Sequence, residues 1–309
     1  MATSGSVDFS ISRNEIIEAA LRLVGSKRRG VTLEAEEINN ASEALNMMVK
    51  AWQAQGLHLW KIKELTVFLQ KSSQNYSLGS GNVTASYVQT TIASAASSGA
   101  STITVADDTG ISDNDFIGIE LDSGSIQWTA VNGAPASDVI TLDATTTGAA
   151  AVGNYVFAYT TKAPRPLRVL DGRVKRSDGD EIPIEKVSRQ EYFALPNKNS
   201  TGQVNQMYYD PQLSSGVLYV WPTTDSVKTV LNITVYSPIE DFDDEDDTPD
   251  FPQEWYEAMK FGLASRIGLE KGLEINRQML LDAKADRALA DVLSWDDGEE
   301  SVYLQPDTM

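Results

Sequence analysis

The apolar positions of this chain follow a helical period near both ends and a strand period between them. Ser12 and Glu15 have the spacing of a helix capping box, and apolar residues then recur every three or four positions until Gly25. A second helical stripe runs from about Thr32 to Gly56. Because only a short basic loop separates the two stripes, we predict an N-terminal helical hairpin.

Strand patterns follow the second helical stripe. Within residues 59–69, Leu65, Val67 and Leu69 recur with the period of a strand, and residues 74–79 indicate a strand end that enters a turn. Later segments of the same character are residues 162–169, 182–187, 207–210, 217–222 and 231–236. Residues 189–193 are predicted to form a short turn. These segments together predict a small β layer.

Two closing helices are predicted where helical spacing returns. The first covers about residues 252–268, and we expect Asp250 and Pro252 to serve as its cap and first-turn residues. The second covers residues 274–293. Its apolar stripe includes Ile275, Met279, Leu280, Ala283, Leu289 and Val292.

A third pattern interrupts the β layer. Between Lys71 and Lys162 there is no lysine, arginine or histidine, and the segment is rich in Ser, Thr, Ala, Gly and Val. Six short β-rich runs within it are separated by turn residues, which predicts an inserted antiparallel sandwich or barrel-like module at residues 83–160. Eight acids and no base make this module strongly anionic by prediction.

These patterns predict an α+β fold with a helical core, a small β layer and the inserted module. The helical core combines the N-terminal hairpin with the closing helices. The expected domains are residues 1–82 (hairpin and first strand), 83–160 (inserted module), 161–249 (β layer), 250–293 (closing helices) and 294–309 (extended tail). The acidic tail has isolated apolar residues, a composition typical of a segment that binds a partner surface.

Composition limits the functions that remain. The net charge of -19 argues against a protein whose main function is to bind nucleic acid. It is compatible with a channel through which DNA slides. The alternative that the acidity serves only solubility stays open. There is no cysteine, so disulfides and thiolate metal sites are excluded. We expect no signal peptide and no membrane span, and hence synthesis in the cytosol.

Candidate catalytic and metal chemistry is sparse. His58 is the single histidine, and there is no G-x-S-x-G motif, so neither a catalytic triad nor a histidine metal site can be assembled. Residues 241–250 contain seven acids and no base, which is typical of a solvated loop. A calcium site is the alternative, but the spacing lacks the glycine and terminal glutamate of the helix-loop-helix motif. We therefore predict no catalytic residue, metal or cofactor.

Several phrases occur in an order that resembles the head-to-tail adaptor family of short-tailed bacteriophages, also called tail accessory factors or packaged DNA stabilisation proteins. They cover residues 11–293 apart from the insert. The phrases are ISRNEIIEAALRLVG, EEINNASEALNMMVKAWQAQGL, YSLG at residue 76, RQEY at 189, YYDP at 208, LYVWP at 218 and FPQEWYEAMKFGLASRIGLEKG at 251. The resemblance implies a dodecameric ring beneath the portal that extends the DNA channel and helps to retain packaged DNA.

That resemblance implies a structural virion protein of the tail or neck, present in the host cytoplasm during assembly, and not an enzyme. Its expected partners are the portal protein, other copies of itself, and further tail proteins such as a nozzle, fibre or spike. DNA would pass through without sequence-specific binding. The expected portal contacts are Trp255, Tyr256, Arg266, Arg277, Trp295, Tyr303 and Leu304. The expected contacts between protomers are Lys27, Arg28, Arg29, His58 and Trp60.

Other functions remain open at this point. The basic cluster Lys27, Arg28 and Arg29 could contact DNA instead of a protomer. The inserted module could bind glycans or a tail fibre, since its fold does not establish its function. A wall-degrading enzyme using paired carboxylates ranks below both, because no acidic pair lies in a recognisable cleft motif.

Overall fold

Five α-helices and two curled, barrel-like β-sheets make up the described part of the chain, which is a mixed α+β protein. The computed structural model describes residues 5–26, 33–56 and 59–294. The helices are α1 (Arg13–Val24), α2 (Ala35–Gln55), α3 (Arg189–Ala194), α4 (Tyr256–Glu270) and α5 (Ile275–Leu293). Among the described residues, none of these helices is both long enough and apolar enough to span a membrane.

The strands fall into two sheets. Those of the first are β1 (Ile62–Phe68), β2 (Asn75–Leu78), β3 (Val83–Thr84), β10 (Arg168–Lys175), β11 (Glu181–Lys186), β12 (Gln206–Asp210), β13 (Gly216–Trp221) and β14 (Val230–Tyr236). Those of the second are β4 (Val88–Ser94), β5 (Thr102–Val105), β6 (Phe116–Glu120), β7 (Ile126–Ala130), β8 (Val139–Thr141) and β9 (Tyr155–Tyr159).

The chain divides into two compact units. The helical unit contains the residues up to Lys61 and those from Ile239 onward, and the β unit contains Ile62–Pro238. Within the helical unit, α1 begins as the sequence predicts. The Ser12 hydroxyl accepts a hydrogen bond from the Glu15 N–H, and the Glu15 carboxylate accepts one from the Ser12 N–H at 2.8 Å. Gly25 ends the helix with a positive φ of 91°.

Small residues of α4 allow its neighbours to approach closely. A Cβ atom on Gly262 would lie 2.8 Å from the Met48 sulfur of α2, and one on Gly268 would lie 2.4 Å from the Gln278 Oε1 of α5. Both distances are too short for an ordinary contact, so α2 and α5 pack against the bare backbone of α4. The buried core of the unit comprises apolar residues of α1, α2 and α4, together with Phe242 and Phe251.

A buried ion pair lies beside this core. The Lys61 side chain is 1% exposed, and its ammonium pairs with the carboxylate of Asp250. The rings of Trp52, Trp60, Phe251 and Trp255 lie near it, with neighbouring centroids 5.0 to 6.3 Å apart. The expectation that Asp250 caps the next helix is wrong, because its carboxylate neutralises Lys61. Pro252 instead precedes a short 3-10 helix, Gln253–Trp255, which leads into α4.

The first sheet of the β unit has the strand order β2-β13-β12-β11-β10-β14-β1-β3. All of its pairs are antiparallel except β11 with β12, which is parallel. The predicted hairpin of β12 and β13 is present, with Tyr208 opposite Tyr219. The turn predicted at residues 189–193 is wrong, because this segment is the helix α3. Ser188 and Glu191 form its capping box, which is a signal that the sequence contained.

The second sheet has the strand order β7-β6-β9-β4-β5-β8, and all of its pairs are antiparallel. Each of the six β-rich runs predicted in the insert coincides with one of these strands. Trp128 lies flat over Gly118 of the neighbouring strand, where a Cβ would come within 2.7 Å of the ring. The interior of this sheet is aliphatic and includes Ile92, Ile103, Ile117 and Val156.

Aromatic side chains join the two sheets. Phe68, at the end of β1, is 3% exposed, and its ring centroid lies 5.0 Å from those of Trp128 and Phe157. Gln70 connects the first sheet to the insert through hydrogen bonds. Its side-chain amide donates to the Ile126 carbonyl at 3.2 Å and accepts from the Ile126 N–H at 3.1 Å, as a neighbouring strand would. The insert is therefore packed against the first sheet within a single unit.

Replacing Phe68 with alanine tests this junction. We expect Phe68→Ala to lower the free energy of unfolding by about 3–5 kcal/mol, because it leaves a cavity among the aromatic rings. Leu213→Ala is the control, since Leu213 is 96% exposed and its loss should change stability by about 0.5 kcal/mol or less. Denaturant unfolding measures both. Equal denaturant midpoints for the two variants would show that Phe68 does not stabilise the contact between the two sheets.

The buried ion pair gives a second prediction. Asp250→Asn leaves the Lys61 ammonium buried without a carboxylate, and we expect a loss of about 3–5 kcal/mol in unfolding free energy. Glu37→Gln breaks the more exposed pair with Lys271 and should cost about 1 kcal/mol or less. Denaturant unfolding of both variants separates the two cases. A cost for Asp250→Asn no larger than that for Glu37→Gln would show that the pair is not needed.

Candidate interaction surface

Two of the aromatic residues expected to contact a portal, Trp255 and Tyr256, lie in the helical core. Trp255 is 2% exposed and Tyr256 is 9% exposed, so neither side chain offers a substantial surface to a partner. Burial raises the pKa of Tyr256, and the nearby Glu254 carboxylate raises it further. Trp60, expected at a protomer interface, is half-buried, and its Nε1 donates to the Asp250 carbonyl at 3.3 Å. All three stabilise the helical unit.

The two arginines predicted as portal contacts differ in their surroundings. Arg277 is exposed, and its Nη2 donates to the Leu23 carbonyl at 2.8 Å, near the end of α1. Arg266 is half-buried in a cleft between α2, α4 and α5. The cleft encloses 270 Å³, and its lining includes Met48, Trp52, Asp286 and Leu289. Arg266 thus has the surroundings of a binding residue, whereas Arg277 serves the fold.

The remaining predicted contacts lie outside the described residues. They are Lys27, Arg28, Arg29, His58, Trp295, Tyr303 and Leu304.

An exposed apolar surface lies on α5, within the apolar stripe that the sequence predicts for this helix. Ile275 is 75% exposed, Met279 is 64% exposed and Leu280 is 59% exposed. We call these three residues the α5 patch. The buried residues of the helix are Gln278 and Leu281, on a different side. The spacing of Ile275 and Met279 correctly placed them on one face, but the sequence did not reveal that this face is uncovered.

Residues 241–250, here called the strap, lie against α1 and α2. The Asn46 side chain exchanges two hydrogen bonds with the Phe242 backbone, and the Lys50 ammonium pairs with the Asp241 carboxylate at 2.6 Å. At the start of α1, the Arg13 N–H donates to the Asp247 carbonyl at 2.7 Å. The acids of the strap are largely exposed, as predicted for a solvated loop, yet its backbone is held at many points.

Most acids of the insert accept backbone hydrogen bonds. Seven of the eight do so through their carboxylates: Asp107, Asp108, Asp113, Asp115, Glu120, Asp122 and Asp138. Hydrogen bonds from Thr109 hold the pKa of the Asp107 carboxyl below its usual range. These acids therefore satisfy the loop backbone of a module that has no lysine or arginine.

Three of these acids lie close enough to suggest a cation site. Oxygen atoms of Asp107, Asp108 and Asp138 lie within 4.8 Å of one another, and carboxylates are the ligands that calcium prefers. However, Asp108 and Asp138 each accept the other's backbone N–H, at 3.1 and 3.3 Å. This reciprocal pair accounts for their approach without an ion.

A matched pair of substitutions tests the structural role of the insert acids. Asp122 accepts from the Ala151 N–H and the Asn154 amide, at 2.8 and 2.9 Å. We expect Asp122→Ala to lower the unfolding free energy by about 1 kcal/mol. Asp143 is also exposed and makes no side-chain hydrogen bond to a described residue, so Asp143→Ala should change stability by about 0.5 kcal/mol or less. Thermal unfolding of both variants measures the difference. Stabilisation by both substitutions would instead indicate that repulsion among the insert acids is the larger effect.

Comparison with known proteins gives no relative for this chain. No protein-family model matches it, and no curated protein sequence matches it. The case for a function therefore depends on the residues and surfaces described above.

Proposed function

We propose that this chain is a structural component of a virus particle, a head-to-tail adaptor that assembles as a ring on the portal. The ring would extend the DNA channel, help to retain packaged DNA and provide a platform for the tail. Two kinds of support favour this proposal: the ordered phrases that resemble the adaptor family, and the α5 patch. The α5 patch carries the argument because it is a property of the folded molecule.

The α5 patch is costly to leave in water. Ile275, Met279 and Leu280 project large apolar side chains into solvent from a single helix, and exposed apolar groups of this kind mark interaction surfaces. Burying such side chains stabilises an assembly by about 25 cal/mol for each Å² of apolar surface removed from water. A neighbouring copy in a ring, or the portal, would provide that cover.

The proposal includes an arrangement of the helices and the insert. We propose that α1 and α2 form the helical hairpin of the adaptor core, which α4 and α5 complete. The insert would be a sandwich or barrel-like module whose outer surface contacts other tail proteins, such as a nozzle or fibre. The acidic surface would let DNA slide past without sequence-specific binding. Residues 294–309 would add a portal contact.

Assembly with a portal tests the proposal. The purified chain is mixed with the portal ring of the same virus and imaged by electron microscopy. We expect a ring of this chain, of dodecameric size, attached to the portal. Absence of any ring in the mixture would overturn the adaptor proposal. Binding to host glycans by a chain that forms no ring would favour the rival assignment as a glycan-binding tail module.

Charged substitutions in the α5 patch make a sharper prediction. The variant Met279→Asp with Leu280→Asp should fold normally, because both side chains are exposed, and should fail to join the ring. Leu213→Asp is the matched control, since Leu213 is 96% exposed in the β unit and lies outside the patch. Mass photometry of the portal mixture measures ring occupancy. Full occupancy by the double variant would remove the α5 patch from the interface.

A further inference from the structure

Arg266 is a guanidinium without a partner inside the part of the chain that the structure describes. It makes no hydrogen bond or ion pair with any described residue, although Asp286 lines the same cleft. Burial lowers the pKa of Arg266, as expected for a cation that has lost hydration without gaining a carboxylate. The cleft lining combines the apolar side chains of Met48, Trp52 and Leu289 with the polar side chains of Gln55, Ser265 and Asp286. A half-buried arginine in this setting favours a carboxylate as its ligand.

The turn of the strap presents such carboxylates. The side chains of Asp243, Asp244 and Asp246 are exposed and make no hydrogen bond or ion pair with a described residue. The turn that carries them is fixed, since the N–H groups of Asp243 and Asp244 both donate to the Asp247 carboxylate, at 2.8 and 2.7 Å. A fixed loop loses little conformational entropy when it binds.

The strap and the Arg266 cleft lie on opposite sides of α2. The strap contacts Asn46 and Lys50, and Ile239 just before the strap contacts Gln53. These three residues of α2 share one face at a spacing of i, i+4 and i+7. The cleft is lined by Met48, Trp52 and Gln55, which have the same spacing but begin two residues later. Two residues rotate the face by about 200°. The strap of one copy is therefore directed away from its own cleft.

We infer that the strap turn of one copy inserts into the Arg266 cleft of the next copy, and that Asp243, Asp244 or Asp246 pairs with the guanidinium. The inference rests on the ring assembly proposed above. Surfaces on opposite sides of one helix generate a head-to-tail contact, the kind that closes into a ring. Asp286 of the cleft lies on the same face of α5 as Ile275 and Met279, about three and two turns further along the helix, respectively.

Charge reversal with mixing tests the inference. One variant carries Arg266→Glu, and a second carries Asp243→Lys, Asp244→Lys and Asp246→Lys. Each variant alone places like charges at every contact, so we expect its association to be about tenfold weaker or more. An equimolar mixture pairs unlike charges at every contact and should restore assembly. Arg287→Glu is the control, because Arg287 is 85% exposed and lies outside the cleft.

The outcomes separate the inference from the adaptor proposal. Mass photometry, with and without the portal ring, measures the assembly of the wild type, each variant and the mixture. Restoration in the mixture, with the control unaffected, supports the strap contact. Assembly of both single variants at wild-type strength would overturn the inference and leave the ring intact. Loss in both variants without restoration would overturn it too, and would assign Arg266 to the portal or to its own chain. A wild type that never assembles would overturn both proposals.

Discussion

The pairing of Lys61 with Asp250 holds together two segments that the whole β unit separates in sequence. The N-terminal segment supplies α1 and α2, and the segment from Ile239 onward supplies the strap, α4 and α5. An ammonium that is 1% exposed tolerates burial only when a carboxylate is beside it, so these segments cannot separate without exposing or stranding a charge. The α5 patch and the Arg266 cleft both belong to helices fixed in this way.

The hydrogen bonds of the strap extend the same constraint. Asn46 and Gln53 pair with the backbone of residues 239–242 through their side-chain amides, and Lys50 pairs with Asp241. These contacts connect a highly acidic segment to α2 and leave the carboxylates of Asp243, Asp244 and Asp246 available to a partner. The acids of the strap thus differ from those of the insert. Insert carboxylates accept backbone N–H groups of other residues of the insert, which explains the acidity there without any ligand.

Local patterns explain how much of the fold the sequence could predict. The capping box of α1 and the six β-rich runs of the insert are each complete within a few residues, and the structure has them where predicted. The helix α3 was missed although its capping box is equally local, because its six residues are too few for a periodic stripe. For α5, periodicity identifies the residues that share a face, but it does not tell whether another element covers that face. Trp255 and Tyr256 were expected at a partner surface, whereas both are buried.

The candidate site was harder to predict than the fold, because the site depends on which arginine side chains have no partner within the folded chain. Arg266 and Arg277 are alike in the sequence, but only Arg277 meets a carbonyl, that of Leu23. Near the surface, an ion pair gains little from attraction alone, and salt largely screens exposed charges that are more than about 8 Å apart at physiological ionic strength. The half-burial of Arg266 in its cleft changes this balance, since water and salt reach such a pair less readily. The α5 patch would supply association energy, while the carboxylate and guanidinium would select the register and direction of the contact.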